Sequence, residues 1–259
     1  MGASIHTAVE DGIAILTLKR DKEMNSLDAA TARAVCDAIA AFASDPAVRV
    51  LVLAGEGPAF SAGGDFNWVL QWPGLAESER RIGAEAMMGA VQAVYDFPKP
   101  SIARVHGAAV GGGIGLMLAC DYAIVASTAR FGLTSARNGL LAAIAIPVLI
   151  EAVGPRVARQ LLIHGGTFDA VEAERLGLVD RVVEPEALEA VNTLARELKL
   201  GAPSVQALVK KLVPAIDALP HDSRSAAVLS RHVAEQCVTA EALEGMQAFL
   251  DKRKPRWAV

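Results

Sequence analysis

Two glycine clusters have the residue types and spacing to do chemistry: Ala62-Gly63-Gly64-Asp65, and Gly111-Gly112-Gly113 with Gly115 close behind. Glycine costs conformational entropy, so a run of it is a defect unless backbone must approach something closely. Each cluster follows a stretch read as a strand and precedes one read as a helix. At such a junction free N–H groups point outward and can hold negative charge. Gly112 is the best placed of these donors. If the two strands are neighbours, one N–H from each loop converges on a single point. A thioester carbonyl needs that when it becomes an enolate or a tetrahedral oxyanion. The bland alternative is a tight turn with close helix packing. Position 116 is Leu, which breaks a dinucleotide fingerprint, and no Lys-Ser or Lys-Thr follows, so the anion is not a nucleotide phosphate held at this turn.

The elements that must position these loops follow from local patterns. Ile13–Leu18 alternates after the turn at Asp11-Gly12 and reads as a strand. Ser26 or Asp28 caps the next helix, which carries Val35, Ile39 and Phe42 on one face and stops at Asp45-Pro46. Val48–Leu53 and Ser101–Val105 are short, apolar and β-branched, as strands covered on both faces are. A helix over Glu77–Tyr95 lies between them. Tyr122–Ala126 is a further strand, Phe131–Leu140 is irregular, and Ile146–Ala152 and Pro155–His164 are helices. Asp169 opens a short helix ending at Gly177, and Leu178–Val183 is a strand. Strand–helix alternation implies right-handed parallel crossovers. From Glu186 strand patterns vanish, and helices are expected over Glu186–Leu200, Ser204–Asp217 and Asp222 to about Lys252. The division is therefore an α/β core over residues 1–185 and a helical region over 186–259.

Bulk properties exclude several classes. The chain has 259 residues, 53% hydrophobic and 21% charged, enough for a sizeable core. A net charge of −4 argues against general nucleic-acid binding. No apolar run is long enough for a membrane span, and the start Met-Gly-Ala-Ser-Ile-His shows no signal peptide. Cys36, Cys120 and Cys237 are isolated within apolar stretches and suit a reducing, cytoplasmic setting as packing residues. No His pair has metal-ligand spacing, so no metal is expected. No Gly-x-Ser-x-Gly is present, which removes a nucleophile elbow.

Ala59-Phe60-Ser61-Ala62-Gly63-Gly64-Asp65, followed by His106-Gly107-Ala108-Ala109-Val110-Gly111-Gly112-Gly113, resembles the crotonase (enoyl-CoA hydratase/isomerase) superfamily. The likeness runs nearly end to end. It takes in Met24-Asn25-Ser26-Leu27, Cys120-Asp121-Tyr122, the stretch Glu172–Val179 and the stretch Glu244–Pro255. The resemblance implies an α/β fold, a spiral of ββα turns with a C-terminal helical trimerisation region. It implies acyl-CoA substrates, with coenzyme A as part of the substrate and no tightly bound cofactor. It puts the oxyanion hole on the amides of Ala62 and Gly112. Ala62, Gly63, Gly64 and Asp65 are then expected to line the thioester and pantetheine arm. Phe249 and Lys252 match positions that touch the adenine and phosphate end of CoA bound by a neighbouring subunit. The partners implied are an acyl-CoA and further copies of the chain, as a homotrimer or a dimer of trimers.

The family's acids are missing. Its hydratases use two glutamates as acid and base. Those positions fall here on Gly115 and Ser135, and a third acid position falls at about Ala143. Ser135 and Thr134 can orient a water or a carboxylate by hydrogen bonding, and Arg137 and Asn138 add a charge and an amide nearby. Thr134–Gly139 is similar to a segment of the methylmalonyl-CoA decarboxylase branch. That chemistry needs only an oxyanion hole and a pocket for the leaving carboxylate. The expected activity is an acyl-CoA enzyme of the hydratase/isomerase type. The alternatives are a CoA-thioester decarboxylase or hydrolase on the same site, or a non-catalytic acyl-CoA-binding subunit. Asp65 reads as a helix cap and Asp121 as structural. His106 reads as a hydrogen-bonded residue in a packed turn. Glu85 and Glu151 are the acids left that might substitute.

Overall fold

An antiparallel hairpin opens the chain: β1 (Ile5–Glu10) passes through Asp11 and Gly12, both left-handed, into β2 (Ile13–Leu18). The computed structural model describes residues 3–185, 188–220 and 222–258. Asp28 then caps α1 (Ala29–Ser44) by accepting the Thr31 N–H at 2.7 Å. Val35, Ile39 and Phe42 lie on its buried face, each worth about 1.5–3 kcal/mol of transfer free energy. The helix stops at Asp45, before Pro46.

β3 (Val50–Gly55) is buried at every position, as a strand inside a sheet covered on both faces is. After it come the single turn α2 (Phe66–Val69), α3 (Glu77–Tyr95), β4 (Ser101–Val105) and the short β5 (Ala108–Val110). Then follow α4 (Gly112–Leu118), β6 (Tyr122–Ala126) and β7 (Arg130–Gly132). Next is α5 (Ile146–His164), broken at Gly154, which separates the two helical halves expected there. β8 (Thr167–Asp169), α6 (Ala170–Arg175) and β9 (Arg181–Val183) end the strand-bearing part.

The main sheet has the order β1-β2-β3-β4-β6-β9, parallel from β2 onward as the strand–helix alternation requires. A second sheet, β5-β7-β8, is absent from the sequence reading. Its strands are three residues each, too short to show a period.

The chain divides into two compact units, residues 1–97 with 101–195, and residues 98–100 with 196–259. The division falls inside α7 (Leu188–Leu198), later than the change of character at Glu186; Glu186 and Ala187 lie outside the described residues. The second unit holds α8 (Pro203–Asp217), α9 (Ser223–Gln236) and α10 (Ala240–Leu250). The single helix expected from Asp222 to Lys252 is therefore two. Thr239 caps the second by accepting the Ala242 N–H. Within this unit the Trp257 indole N–H donates to Leu200 O at 3.1 Å. Arg253 grips the Glu244 carboxylate with two nitrogens, at 2.7 and 3.1 Å, and holds its pKa down at about 2.

Candidate active site

Backbone pairing brings the two glycine loops together. Phe60 N–H donates to His106 O at 3.0 Å, Ser61 N–H to Ala108 O at 3.1 Å, and Val110 N–H to Ser61 O at 2.9 Å. Gly63 shows how close the approach is. Its φ is +83°, and a Cβ there would sit 2.5 Å from Val110 O and 2.8 Å from the Gly112 nitrogen. No side chain fits, so this glycine is required by the contact between loops. Gly113 meets Ser61 O even more tightly from the other side.

The amides of residues 61 to 65 are then spent one by one. Ser61 donates to Ala108, and Ala62 donates to Met24 O at 2.8 Å. Gly63 donates to Ser61 Oγ at 3.2 Å, and Asp65 to Leu27 O at 2.9 Å. Leu27 pairs with Gly63 O and Asp65 N, which turns the intervening Gly64 N–H to the opposite side. Among the described residues the Gly64 N–H has no acceptor. Ala62 was the expected donor; its hydrogen bond to Met24 removes it, and the available amide is that of Gly64. No signal in the sequence separates these two amides, because the acceptor Met24 is brought up by tertiary contact.

On the facing loop, Gly111 is left-handed at φ 51° and α4 begins at Gly112. The Gly111 N–H is held by Gly132 O at 2.8 Å, and the first i→i−4 bond of the helix is Gly115 N–H to Gly111 O at 3.2 Å. The Gly112 N–H precedes that bond and has no partner within the helix.

Gly64 and Gly112 line one cavity of about 360 Å³ with Ala62, Thr134 and Ser135. The wall is apolar: Phe66, Val69, Trp72, Met87, Met88, Leu140, Leu141 and Ile144. Among the described lining residues there is no carboxylate. Gly115 is packed over: a Cβ there would meet Ile144 O at 3.2 Å and Ala145 Cα at 3.4 Å, so the turn at residues 143–145 fills the space an acid would need. Ala143 lines the cavity but carries no acid. Glu85 is exposed and pairs with Arg81, and Glu151 accepts from the Tyr95 hydroxyl. Neither lines the cavity. His106 donates Nε2–H to Gly57 O at 2.7 Å, the structural role expected of it. Arg137 Nε donates to His164 O, and Asn138 reaches back to Thr134 O. Asp121 accepts from the Ser101 amide and hydroxyl.

Gly63 and Asp65 do not line the cavity, although both were expected to. Gly63 is used in the loop contact. Asp65, 6% exposed, caps α2 through the Asn67 and Trp68 amides and binds Arg20 at 2.8 Å. Burial pushes its carboxyl up, but the Arg20 guanidinium and the helix amides outweigh that and hold it below the usual range. A depressed folded pKa stabilises above the unfolded value of about 3.9 and is lost as pH falls through the folded one. Asp65→Asn therefore costs about 1–3 kcal/mol at pH 7. In thermal melts the gap to the wild type narrows as pH drops below about 4. Phe249, 83% exposed, and Lys252, left-handed, lie in the second unit at the end of α10.

The fold matches solved structures of the crotonase family. The chain superposes on an enoyl-CoA hydratase of Shewanella pealeana with a TM-score of 0.94 at 28% identity, covering 98% of this chain and 96% of that one. A crotonase of Legionella pneumophila gives a TM-score of 0.92 at 31% identity, covering 98% of both. In sequence it is 37% identical over 253 residues to a Thermus thermophilus protein with enoyl-CoA hydratase in its name, covering 96% of this chain and 99% of the relative. A carnitinyl-CoA dehydratase of Salmonella typhi is 32% identical, with 99% of both chains covered. The profile of the enoyl-CoA hydratase/isomerase family matches residues 8–259, and the chain belongs to that family. No helix among the described residues is long and apolar enough to cross a membrane.

Proposed function

We propose that this protein acts on acyl-CoA thioesters and holds the resulting enolate in a hole made by the Gly64 and Gly112 amides. The observation that carries the reading is the pair of unspent N–H groups on two touching loops, both lining one apolar cavity. The names of its relatives, enoyl-CoA hydratase and carnitinyl-CoA dehydratase, support a CoA thioester as substrate. Preorganised donors in a dry site lower the barrier without reorganising during the reaction.

The acid-free lining favours a second reading for the bond-breaking step. When the α-carbon carries a carboxylate, its C–C bond breaks to release carbon dioxide and the electron pair passes into the enolate. That step needs the hole and a group to orient the carboxylate, and no general base. Thr134 and Ser135 are the hydroxyls in the cavity that can do so. Ser135→Ala then lowers the turnover rate about tenfold, the worth of one hydrogen bond to a charged group. An unchanged rate returns Ser135 to packing.

The test is turnover of crotonyl-CoA against methylmalonyl-CoA, with acyl-CoA binding measured in parallel. Turnover of the first supports hydration through an acid and base outside the cavity lining; turnover of the second supports decarboxylation. Binding without turnover of any acyl-CoA makes the chain a binding subunit, and no binding overturns the reading. Under the same proposal Phe249 and Lys252 contact the adenine and phosphates of CoA held by a neighbouring copy, in a homotrimer or a dimer of trimers. Arg253 does not share that role, since Glu244 occupies it.

A further inference from the structure

A second cavity, of about 440 Å³, lies at the carboxyl ends of β4, β6 and β9 and shares no lining residue with the first. Its wall is mostly apolar, with Ile124, Ala126, Val183 and Val191 prominent. Into this wall β4 contributes Arg104, a half-buried arginine in an otherwise buried strand. Its neighbours in register across the sheet are Ala54 and Ile124, and beyond Ile124 stands Arg181, so the row supplies no carboxylate. Among the described residues the Arg104 side chain makes no hydrogen bond and no ion pair. Glu184 also lines the cavity, but it is exposed, and it accepts from Ser127 Oγ at 3.4 Å. None of these groups lines the first cavity.

A guanidinium is seldom placed beside apolar side chains without a partner, because losing water disfavours its charge. Burial accordingly weakens the hold of Arg104 on its proton. The guanidinium fork fits a carboxylate in bidentate geometry, and the exposed Thr128 supplies a hydroxyl on the same wall. On the near wall His106 is held by its bond to Gly57 O at 2.7 Å.

We propose that this cavity binds a small amphipathic carboxylate, with the acid on Arg104 and the hydrocarbon body along Ile124, Ala126, Val183 and Val191. The site is distinct from the one that holds the thioester, so its occupancy does not depend on that assignment.

The experiment is calorimetric titration with hexanoate of the full-length wild type, Arg104→Met, Arg104→Gln and Met88→Trp. The last variant narrows the first cavity and leaves the second untouched. Expected are saturable binding to the wild type and to Met88→Trp, and a loss of about ten- to hundredfold in both Arg104 variants. Two Arg104 variants are used so that poor folding of one leaves the test intact. Binding that survives both Arg104 changes but fails in Met88→Trp places hexanoate in the first cavity and overturns the proposal. So does a wild type that binds no hexanoate while Arg104→Met changes the sedimentation mass, which makes Arg104 a partner for an acid on a second copy of the chain.

Discussion

Replacing Gly64 or Gly112 with proline lowers acyl-CoA turnover by about two to three orders of magnitude, with the fold retained. Proline deletes one N–H at either place. Gly112 is the first residue of α4, a position that proline fits well, and the contacts around its missing Cβ are ordinary ones at 3.4 Å and beyond. At Gly64 the nearest atom to an added Cβ is Met87 Sδ at 3.9 Å. Gly64→Ala keeps the amide and is the control; its activity stays within about threefold of wild type. Steady-state kinetics separate the outcomes, since loss of a transition-state donor falls on kcat. Ala62→Pro behaves differently. It breaks the bond to Met24 O and costs stability as well as rate. Full activity in Gly64→Pro, with loss in Ala62→Pro at unchanged stability, would restore Ala62 as the donor.

Asn25→Ala is expected to destabilise the fold by about 2–4 kcal/mol, as one buried and one part-buried carbonyl lose their donor. Asn25 is 1% exposed and left-handed at φ 55°, a backbone region that asparagine tolerates. Its amide nitrogen donates to Glu56 O at 2.8 Å and Ala59 O at 2.7 Å, and its Oδ1 accepts the Arg20 N–H. Its carbonyl accepts from Ser61 Oγ, and the same Oγ holds the Gly63 N–H. The side chain and the main-chain carbonyl of Asn25 thus together anchor the loop that presents Gly64. Denaturant melts measure the loss. Asn25→Gly, which suits the left-handed backbone and lacks the amide, isolates the hydrogen-bonding share. Stability unchanged in both variants would show the network to be dispensable.

Several elements were legible in the sequence. Glu77–Tyr95 and Tyr122–Ala126 form with the boundaries expected, and Asp28, Asp65 and Asp169 cap the helices that follow them. Two kinds of feature were not. The β5-β7-β8 sheet uses strands too short for alternation to register, and it is these that bring Ser61 beside Ala109. Donor identity within residues 61–65 depends on what each amide is bonded to, and the acceptors Met24, Leu27 and Ala108 are set by tertiary contact. Composition and spacing pointed to the loop but not to which of its amides is left without an acceptor. The break between α9 and α10 was likewise hidden, because Cys237-Val238-Thr239 holds neither glycine nor proline.

The thioester C=O stretching frequency tests the hole most directly. An acyl-CoA isotopically labelled at that carbonyl is bound in turn to the wild type, Gly64→Pro and Gly112→Pro. Two converging N–H donors predict a clear shift to lower frequency on binding to the wild type, reduced in each proline variant. A bound carbonyl that vibrates at the frequency of the free thioester in all three proteins would contradict the account.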